Sequence, residues 1–240
     1  MVQSRKKFLK HFLIGATSVP LILEACKKDA ESSSSSSGST GNSSSQSCTV
    51  TPTETAGPYP THDPATLDGA DIRMDRTGVL CNIKITVKNT NADCAKLAGA
   101  IVDVWHCDKD GNYSEYGSVS SLHFLRGRQT TDANGQVSFT SIFPGWYNGR
   151  TTHIHVHIYN KAGTTLLITQ IAFPEGSVSA VATVNGSDGV AYGYTKGMSG
   201  YTYNAQDGIF ADDKTGSEIA VVTGAISTGY TVDHVIRVAA

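Results

Sequence analysis

The segment from His153 to Ile158 alternates histidine with β-branched residues, and this strict alternation limits what the surrounding chain can form. Successive side chains of a strand point to opposite faces, so the pattern predicts a strand with one apolar face and one histidine face. A strand rises about 3.3 Å per residue, so neighbouring histidines about 6.6 Å apart can share one ion. Only one pair among His153, His155 and His157 is expected to do so, and structural strand histidines are the alternative.

Six further segments have the β-branched and aromatic residues of strands and are bounded by turn residues. They are residues 82–88, 100–106, 136–142, 165–173, 218–224 and 229–238. No stretch after residue 47 holds a long helical period. Short strands at regular spacing predict an all-β domain, a two-sheet β-sandwich. Residues 178–206 are rich in Gly, Ser, Tyr and Asn, and we expect a long excursion there that could cover a site.

The pattern of the N-terminal 47 residues predicts that the protein is exported, and it is not typical of a folded domain. Residues 1–25 have the basic start and short apolar run of a signal peptide, and residues 4–10 (SRKKFLK) are similar to a twin-arginine signal. Cys26 ends a lipoprotein-like processing box, so we expect a lipid anchor there, with plain signal cleavage as the alternative. Residues 26–47 are serine-rich and predict a flexible tether. The domain of residues 48–240 would then be held in the cell envelope, periplasmic or at the cell surface.

Four cysteines follow Cys26 in the sequence: Cys48, Cys81, Cys94 and Cys107. An even number in an exported protein favours disulfides, but three pairings are possible. We favour Cys94 with Cys107, which flank one predicted strand, and this leaves Cys48 with Cys81. Buried free thiols are the alternative.

The charge of the chain does not indicate a polyanionic partner. The formal net charge is −2, and no basic patch or aromatic ladder predicts nucleic-acid binding. Nothing in the sequence fixes the oligomeric state.

Two tyrosines at glycine-marked turns could complete a metal site with the histidine pair. Tyr113 follows the turn dipeptide Asp110-Gly111, and Tyr147 ends the segment PGWY just before the histidine strand. A phenolate is a hard anionic oxygen donor, which suits Fe(III) far better than Zn(II) or Cu(I). Two tyrosines and two histidines therefore indicate ferric iron.

Several motifs occur in an order that resembles the intradiol ring-cleavage dioxygenases of the catechol and protocatechuate 3,4-dioxygenase type. They are GPYP (57–60), VDVWHCDKDGNYS (102–114), FLRGRQTTDANGQVSFTSIFPGWY (124–147), RTTHIH (150–155), TQIAF (169–173) and DGIF (207–210). The resemblance spans most of the domain after the tether, and this combination of spacings is specific.

The resemblance implies a β-sandwich that holds non-haem Fe(III) through two tyrosines and two histidines, with catechol and O2 as substrates and a cis,cis-muconate-type product. The implied ligands are Tyr113, Tyr147, His153 and His155, with Tyr147 also a proton acceptor. Arg150 would stabilise charge beside the reacting carbon, Gln170 would lie next to it, and Tyr59 would lie near the substrate.

One departure from the family concerns substrate selectivity. Only Asn148 and Gly149 separate Tyr147 from Arg150, a shorter connection than in well-known members, so the wall between these two residues is expected to be short. Two other functions remain open: a non-catalytic cell-surface binding module with a vestigial metal site, and a zinc hydrolase that uses His153 and His155.

Overall fold

The structure is a computed structural model that describes residues 48–240; the predicted signal peptide, Cys26 and the tether lie outside the described residues. Nine strands form within this range. They are β1 Leu80–Asn89, β2 Ala95–Lys96, β3 Ile101–Trp105, β4 Arg126–Thr130, β5 Gln136–Ile142, β6 His153–Tyr159, β7 Thr165–Ala172, β8 Val221–Ala225 and β9 Gly229–Val238.

Helices in the described range are short. One α-helix, α1, spans Ala180–Val184. The 3₁₀ helices are Pro64–Thr66, Thr90–Ala92, Gly117–Val119, Ser187–Tyr192, Asn204–Gln206 and Phe210–Asp212. None of the helices in residues 48–240 has the length and apolar character that a membrane-spanning segment requires.

The strands form two sheets, as the sequence predicts. The first sheet has the order β4-β3-β6-β7 and is antiparallel throughout. The second has the order β2-β1-β9-β8, with β5 also paired to β1 and with β1 and β9 parallel. Apolar residues of both sheets form one buried cluster. The prediction of an all-β sandwich is confirmed.

Strand β6 has the two faces that its alternation predicts. Ile154, Val156 and Ile158 are fully buried members of the main hydrophobic cluster. The three histidines lie on the opposite face of the strand. Register pairs His155 with Trp105 of β3 and with Gln170 of β7, so both neighbours contribute to the histidine face.

The predicted cysteine pairing is wrong. Cys48 is bonded to Cys94, whereas Cys81 and Cys107 are buried and free. Cys94 and Cys107 lie beyond opposite ends of β3, and five strand residues span about 16 Å, far beyond the reach of a disulfide. Cys81 lies at the start of β1, whereas Cys94 lies just beyond the end of that strand, next to β2, where Cys48 can reach it.

The excursion at 178–206 packs against the segment that precedes β6. Trp146 Nε1 donates to the carbonyl of Gly197 at 3.0 Å, and Lys196 Nζ donates to the carbonyl of Trp146 at 2.7 Å. The hydroxyl of Tyr201 accepts from the Thr152 backbone N–H at 3.0 Å. The excursion therefore holds the segment from Trp146 to Thr152 in place.

Candidate metal and substrate site

Four side-chain donor atoms converge on the outer face of the first sheet. His153 Nε2 lies 3.2 Å from His155 Nε2, 3.2 Å from the Tyr113 hydroxyl and 3.4 Å from the Tyr147 hydroxyl. The Tyr113 hydroxyl is 3.2 Å from His155 Nε2. Donors bonded to one first-row ion at about 2.0–2.2 Å are roughly 3.0–3.4 Å apart, so these separations fit a single shared ion.

Three separate segments bring these donors together. Strand β6 supplies both histidines, the turn after β3 supplies Tyr113, and the turn before β6 supplies Tyr147. The two turns are in close contact: a Cβ added at Gly111 would lie 2.7 Å from the carbonyl of Trp146. Gly111 also has a positive φ of 93°, so a glycine here allows both the turn and the approach of Tyr113 to Tyr147.

The histidine rings are held with Nε2 toward the common centre. His153 Nδ1 lies 2.6 Å from the carbonyl of Thr151, and donation to it leaves the Nε2 lone pair available as a ligand. The His155 ring stacks on Trp105 with centroids 5.0 Å apart and 3° between planes. Gly57 also lies close to the His155 ring, since a Cβ added at Gly57 would be 2.8 Å from Cε1 of His155.

His157 does not join this group. Its Nε2 lies 2.9 Å from the Thr165 hydroxyl, and its ring stacks on Tyr159 with centroids 3.9 Å apart. The strand spacing predicts this separation of one histidine from the neighbouring pair.

Burial keeps all four donors in their neutral forms. It lowers the pKa of His153 to about 3 and that of His155 well below its usual range, so both imidazoles are unprotonated at neutral pH. It also raises the pKa of Tyr113 and of Tyr147. A bound cation reverses this effect for a phenol, because its charge stabilises the phenolate.

The tyrosine oxygens are essential to any metal site here. Among the described residues, no three His, Cys, Asp or Glu side chains form a group that could hold an ion. Two hard phenol oxygens and two imidazoles are therefore the available donor set, and that set suits Fe(III).

Arg150 lies beside the donors in a fixed hydrogen-bond network. Its Nη2 donates to Gln170 Oε1 at 2.6 Å, and its Nε donates to Asp207 Oδ2 at 2.9 Å. Gln170 Nε2 in turn donates to the carbonyl of Thr55 at 2.9 Å. The short connection to Tyr147 closes as a turn, with the Arg150 N–H donating to the carbonyl of Tyr147 at 3.1 Å.

Tyr59 brings the N-terminal segment over the site. Its ring stacks on Tyr113 with centroids 4.8 Å apart and meets Tyr116 edge-on at 5.2 Å. Arg126 also binds the N-terminal segment, because its Nη1 donates to the carbonyl of Tyr59 at 3.0 Å. A cavity of about 210 Å³ opens beside these rings. Its lining residues are Tyr59, Gly111, Asn112, Tyr113, Tyr116, Gly117, Ser118 and Val119.

Sequence reasoning assigned no role to three residues that shape this site. Trp105 stacks on His155, Gly57 lies against the same ring, and the buried Asp207 binds Arg150. All three lie inside motifs that carry the family resemblance, so the motifs could have directed attention to them. Their partners are distant in sequence, and no local pattern reveals those contacts.

Comparison with known proteins agrees with this geometry. The family described as "Dioxygenase" matches residues 55–188, more than half of the chain. A chlorocatechol 1,2-dioxygenase from Rhodococcus opacus is 32% identical over 136 residues, 48% of this chain and 51% of that protein. A catechol 1,2-dioxygenase from Acinetobacter lwoffii is 35% identical over 96 residues, 33% of this chain and 35% of that protein. The chain thus spans about half or less of the length of these curated relatives.

A solved structure extends the similarity to nearly the whole domain. An intradiol ring-cleavage dioxygenase from Tetranychus urticae superposes with a TM-score of 0.68 at 28% identity, over 80% of this chain and 94% of that one. The chain belongs to the intradiol ring-cleavage dioxygenase family.

Proposed function

We propose that this protein is an intradiol ring-cleaving dioxygenase that uses non-haem Fe(III) and O2 to open a catechol-type ring to a cis,cis-muconate-type acid. The observation that carries the proposal is the convergence of the four donor atoms, since His153 Nε2 lies within 3.4 Å of the other three and His155 Nε2 lies 3.2 Å from the Tyr113 hydroxyl. Membership of the dioxygenase family supports the same activity.

The proposed ligands are Tyr113, Tyr147, His153 and His155. Ferric iron bound there would supply Lewis-acid activation of a catechol dianion toward O2. Tyr147 is half-buried, whereas the other three donors are buried. With a cation bound and Tyr147 held as a phenolate, the oxygen of Tyr147 would therefore be the ligand atom best placed to accept a proton from an entering catechol hydroxyl.

Arg150 supplies the positive charge of the site. Asp207 and Gln170 fix the plane of its guanidinium group, so its remaining N–H donors can stabilise negative charge that develops on the ring during cleavage. Preorganisation of this kind needs no movement during the reaction, which is why the bonds to its two partners matter.

The substrate in this proposal is a single-ring aromatic diol. The cavity of about 210 Å³ shares Tyr113 with the donor group and has Tyr59 and Tyr116 in its wall. Tyrosine rings bind a flat aromatic ring by stacking or edge contact. The remaining lining is small or polar, so the cavity favours one ring over an extended apolar ligand.

We also propose that the domain acts in the cell envelope. This rests on the signal-like residues 1–25, the serine-rich tether and Cys26 as a lipid attachment point. Labelling with a radioactive fatty acid in cells tests it, since the parent protein should incorporate label and the Cys26→Ala variant should not.

The central test of the proposed activity measures iron, colour and product together. Purified protein should contain about one iron per chain, absorb visible light through tyrosinate-to-iron charge transfer, and convert catechol with ¹⁸O2 to a muconate that carries both labelled atoms. Tyr113→Phe should lose the visible band. Tyr159→Phe is the matched control, because Tyr159 stacks on His157 outside the donor group.

Two outcomes would contradict the proposal. Folded protein that binds zinc tightly and never takes iron would contradict the tyrosine ligand set. A yellow semialdehyde product would mean cleavage outside the two hydroxylated carbons, which this donor set does not support.

A further inference from the structure

Asp207 is a buried carboxylate that contacts the functional residues without belonging to the donor group. It is fully buried and lies just before the 3₁₀ helix Phe210–Asp212. Its Oδ2 accepts from Arg150 Nε at 2.9 Å and from the Thr151 backbone N–H at 2.8 Å. Its Oδ1 accepts from the backbone N–H of Ile209 at 2.9 Å. All three of these bonds come from N–H groups, so the carboxylate acts here only as an acceptor.

The bond to Thr151 extends the influence of Asp207 to a proposed ligand. The carbonyl of Thr151 is the group that lies 2.6 Å from His153 Nδ1. One oxygen of Asp207 is therefore joined to Arg150 directly and to His153 through the backbone of a single residue. The hydroxyl of Thr151 adds a further bond to Tyr201 at 2.6 Å, so Thr151 has little freedom to move.

We propose that Asp207 is a positioning residue that fixes Arg150 and the His153 ligand relative to each other. This inference rests on the proposed function. Because Oδ2 receives both N–H groups, a displacement of the carboxylate would move the guanidinium and the Thr151 backbone together. Partners that orient a metal-binding histidine typically change metal affinity or activity by about 10- to 100-fold when removed.

The first experiment compares Asp207→Asn with Asp103→Asn. Asp103 is a matched control because it is also buried and also binds an arginine. Its two carboxylate oxygens accept from Arg128 Nε at 2.5 Å and from Arg128 Nη2 at 2.7 Å. Asp103 pairs with His157 in the sheet, away from the donor group. An asparagine at 207 keeps the shape of the side chain, but it lacks the negative charge that attracts both N–H groups. Iron affinity is measured by chelator competition, and kcat and KM are measured with catechol.

We expect Asp207→Asn to lower kcat by about 10- to 100-fold, to weaken iron binding by at least about tenfold and to shift the visible band, with little change in KM. Asp103→Asn should match the parent in all four quantities, even if its unfolding temperature falls by a similar amount. Equal losses in both variants would overturn the inference, because they would reflect only the loss of a buried ion pair.

A second pair of variants covers the case in which Asp207→Asn leaves the half-buried Arg150 guanidinium without a carboxylate partner and fails to fold. Arg150→Gln/Asp207→Asn removes both charges, whereas Arg150→Gln leaves the Asp207 carboxylate with the backbone N–H groups of Thr151 and Ile209. The double variant should bind iron about tenfold more weakly than the single variant, through the Thr151 link; equal affinities would overturn the inference. If the parent protein cleaves catechol and Asp207→Asn has the same rate and iron affinity, the inference is overturned but the proposed function stands. If the parent protein neither binds iron nor cleaves catechol, the proposed function is overturned as well.

Discussion

Gly57 gives the sharpest single test of how the N-terminal segment supports the donor group. It has a φ of 67°, and a Cβ built there would lie 2.8 Å from Cε1 of His155. Carbon atoms in contact are normally about 3.5–4.0 Å apart, so Gly57→Ala creates an overlap of at least about 0.7 Å. The His155 ring is buried and stacked on Trp105, so its Nε2 would have to shift relative to the other donors.

Two costs are expected from Gly57→Ala. The left-handed backbone costs a residue with a Cβ about 1–2 kcal/mol, which lowers the unfolding temperature by about 2–8 °C in a domain of this size. The overlap adds a cost in the metal site, because ligand distances tolerate only about 0.2 Å. We expect iron affinity to fall at least about tenfold, equivalent to about 1.4 kcal/mol.

Gly163→Ala separates these two costs. Gly163 has a φ of 84° in the turn between β6 and β7, and a Cβ there meets no described atom within 4 Å. Gly57→Ala should lose at least as much thermal stability in a calorimeter as Gly163→Ala, but only Gly57→Ala should lose iron in chelator competition. If the two variants bind iron equally, the close packing of Gly57 on His155 does not constrain the ligand, and our reasoning about this segment fails.

Three further predictions follow from other contacts. Arg150→Ala should keep the visible iron band but slow ring cleavage by roughly 10²- to 10³-fold, measured as muconate formation, and a parent rate would refute its role. Reduction of Cys48–Cys94 should lower the free energy of unfolding by up to about 4 kcal/mol for a sequence separation of 46, and an unchanged denaturation midpoint would contradict this. Burial lowers the pKa of His106 and His234 to about 4, so the unfolded state binds more protons between about pH 6.5 and pH 4. The stability that these two histidines contribute should therefore be fully present above about pH 6.5 and be lost as the pH decreases through that window, and His234→Leu should flatten the decrease in unfolding temperature.

The sequence predicts most of the sheet structure because local alternation records which face is buried. All seven segments identified from pattern contribute to strands. Strand β4 was missed because its sequence, RGRQT, has no apolar residue, although Arg126 and Gly127 are buried. The segment 218–224 was predicted as one strand, but Ile219 bridges to β7 of the first sheet before β8 joins the second. A change of sheet within one apolar run leaves no mark in its pattern.

The four side chains that converge in the structure could be grouped from sequence because they cluster around glycine-marked turns and one strand. Their supporting contacts could not be identified in the same way. Asp207 lies 57 positions from Arg150, and Gln170 lies 115 positions from Thr55. The Cys48–Cys94 bond was missed for a related reason, since chain proximity suggested Cys107 and strand direction places that residue at the wrong end of β3. The pairing of segments that are distant in the sequence decides these contacts, and no local sequence pattern records that pairing.

The proposed function assigns ring-cleavage chemistry and substrate selectivity to different parts of this fold. The strand β6 histidines and the Gln170 side chain project from a sheet whose other face is the sandwich core, so their positions are fixed by packing. The walls of the cavity come instead from Tyr59 and the loop of residues 111–119, which lie outside the sheets. The connection from Tyr147 to Arg150 has only two intervening residues and closes as a turn. Changes in ring substituent preference should therefore arise in these outer segments, whereas changes in the sheet residues should affect iron binding and rate.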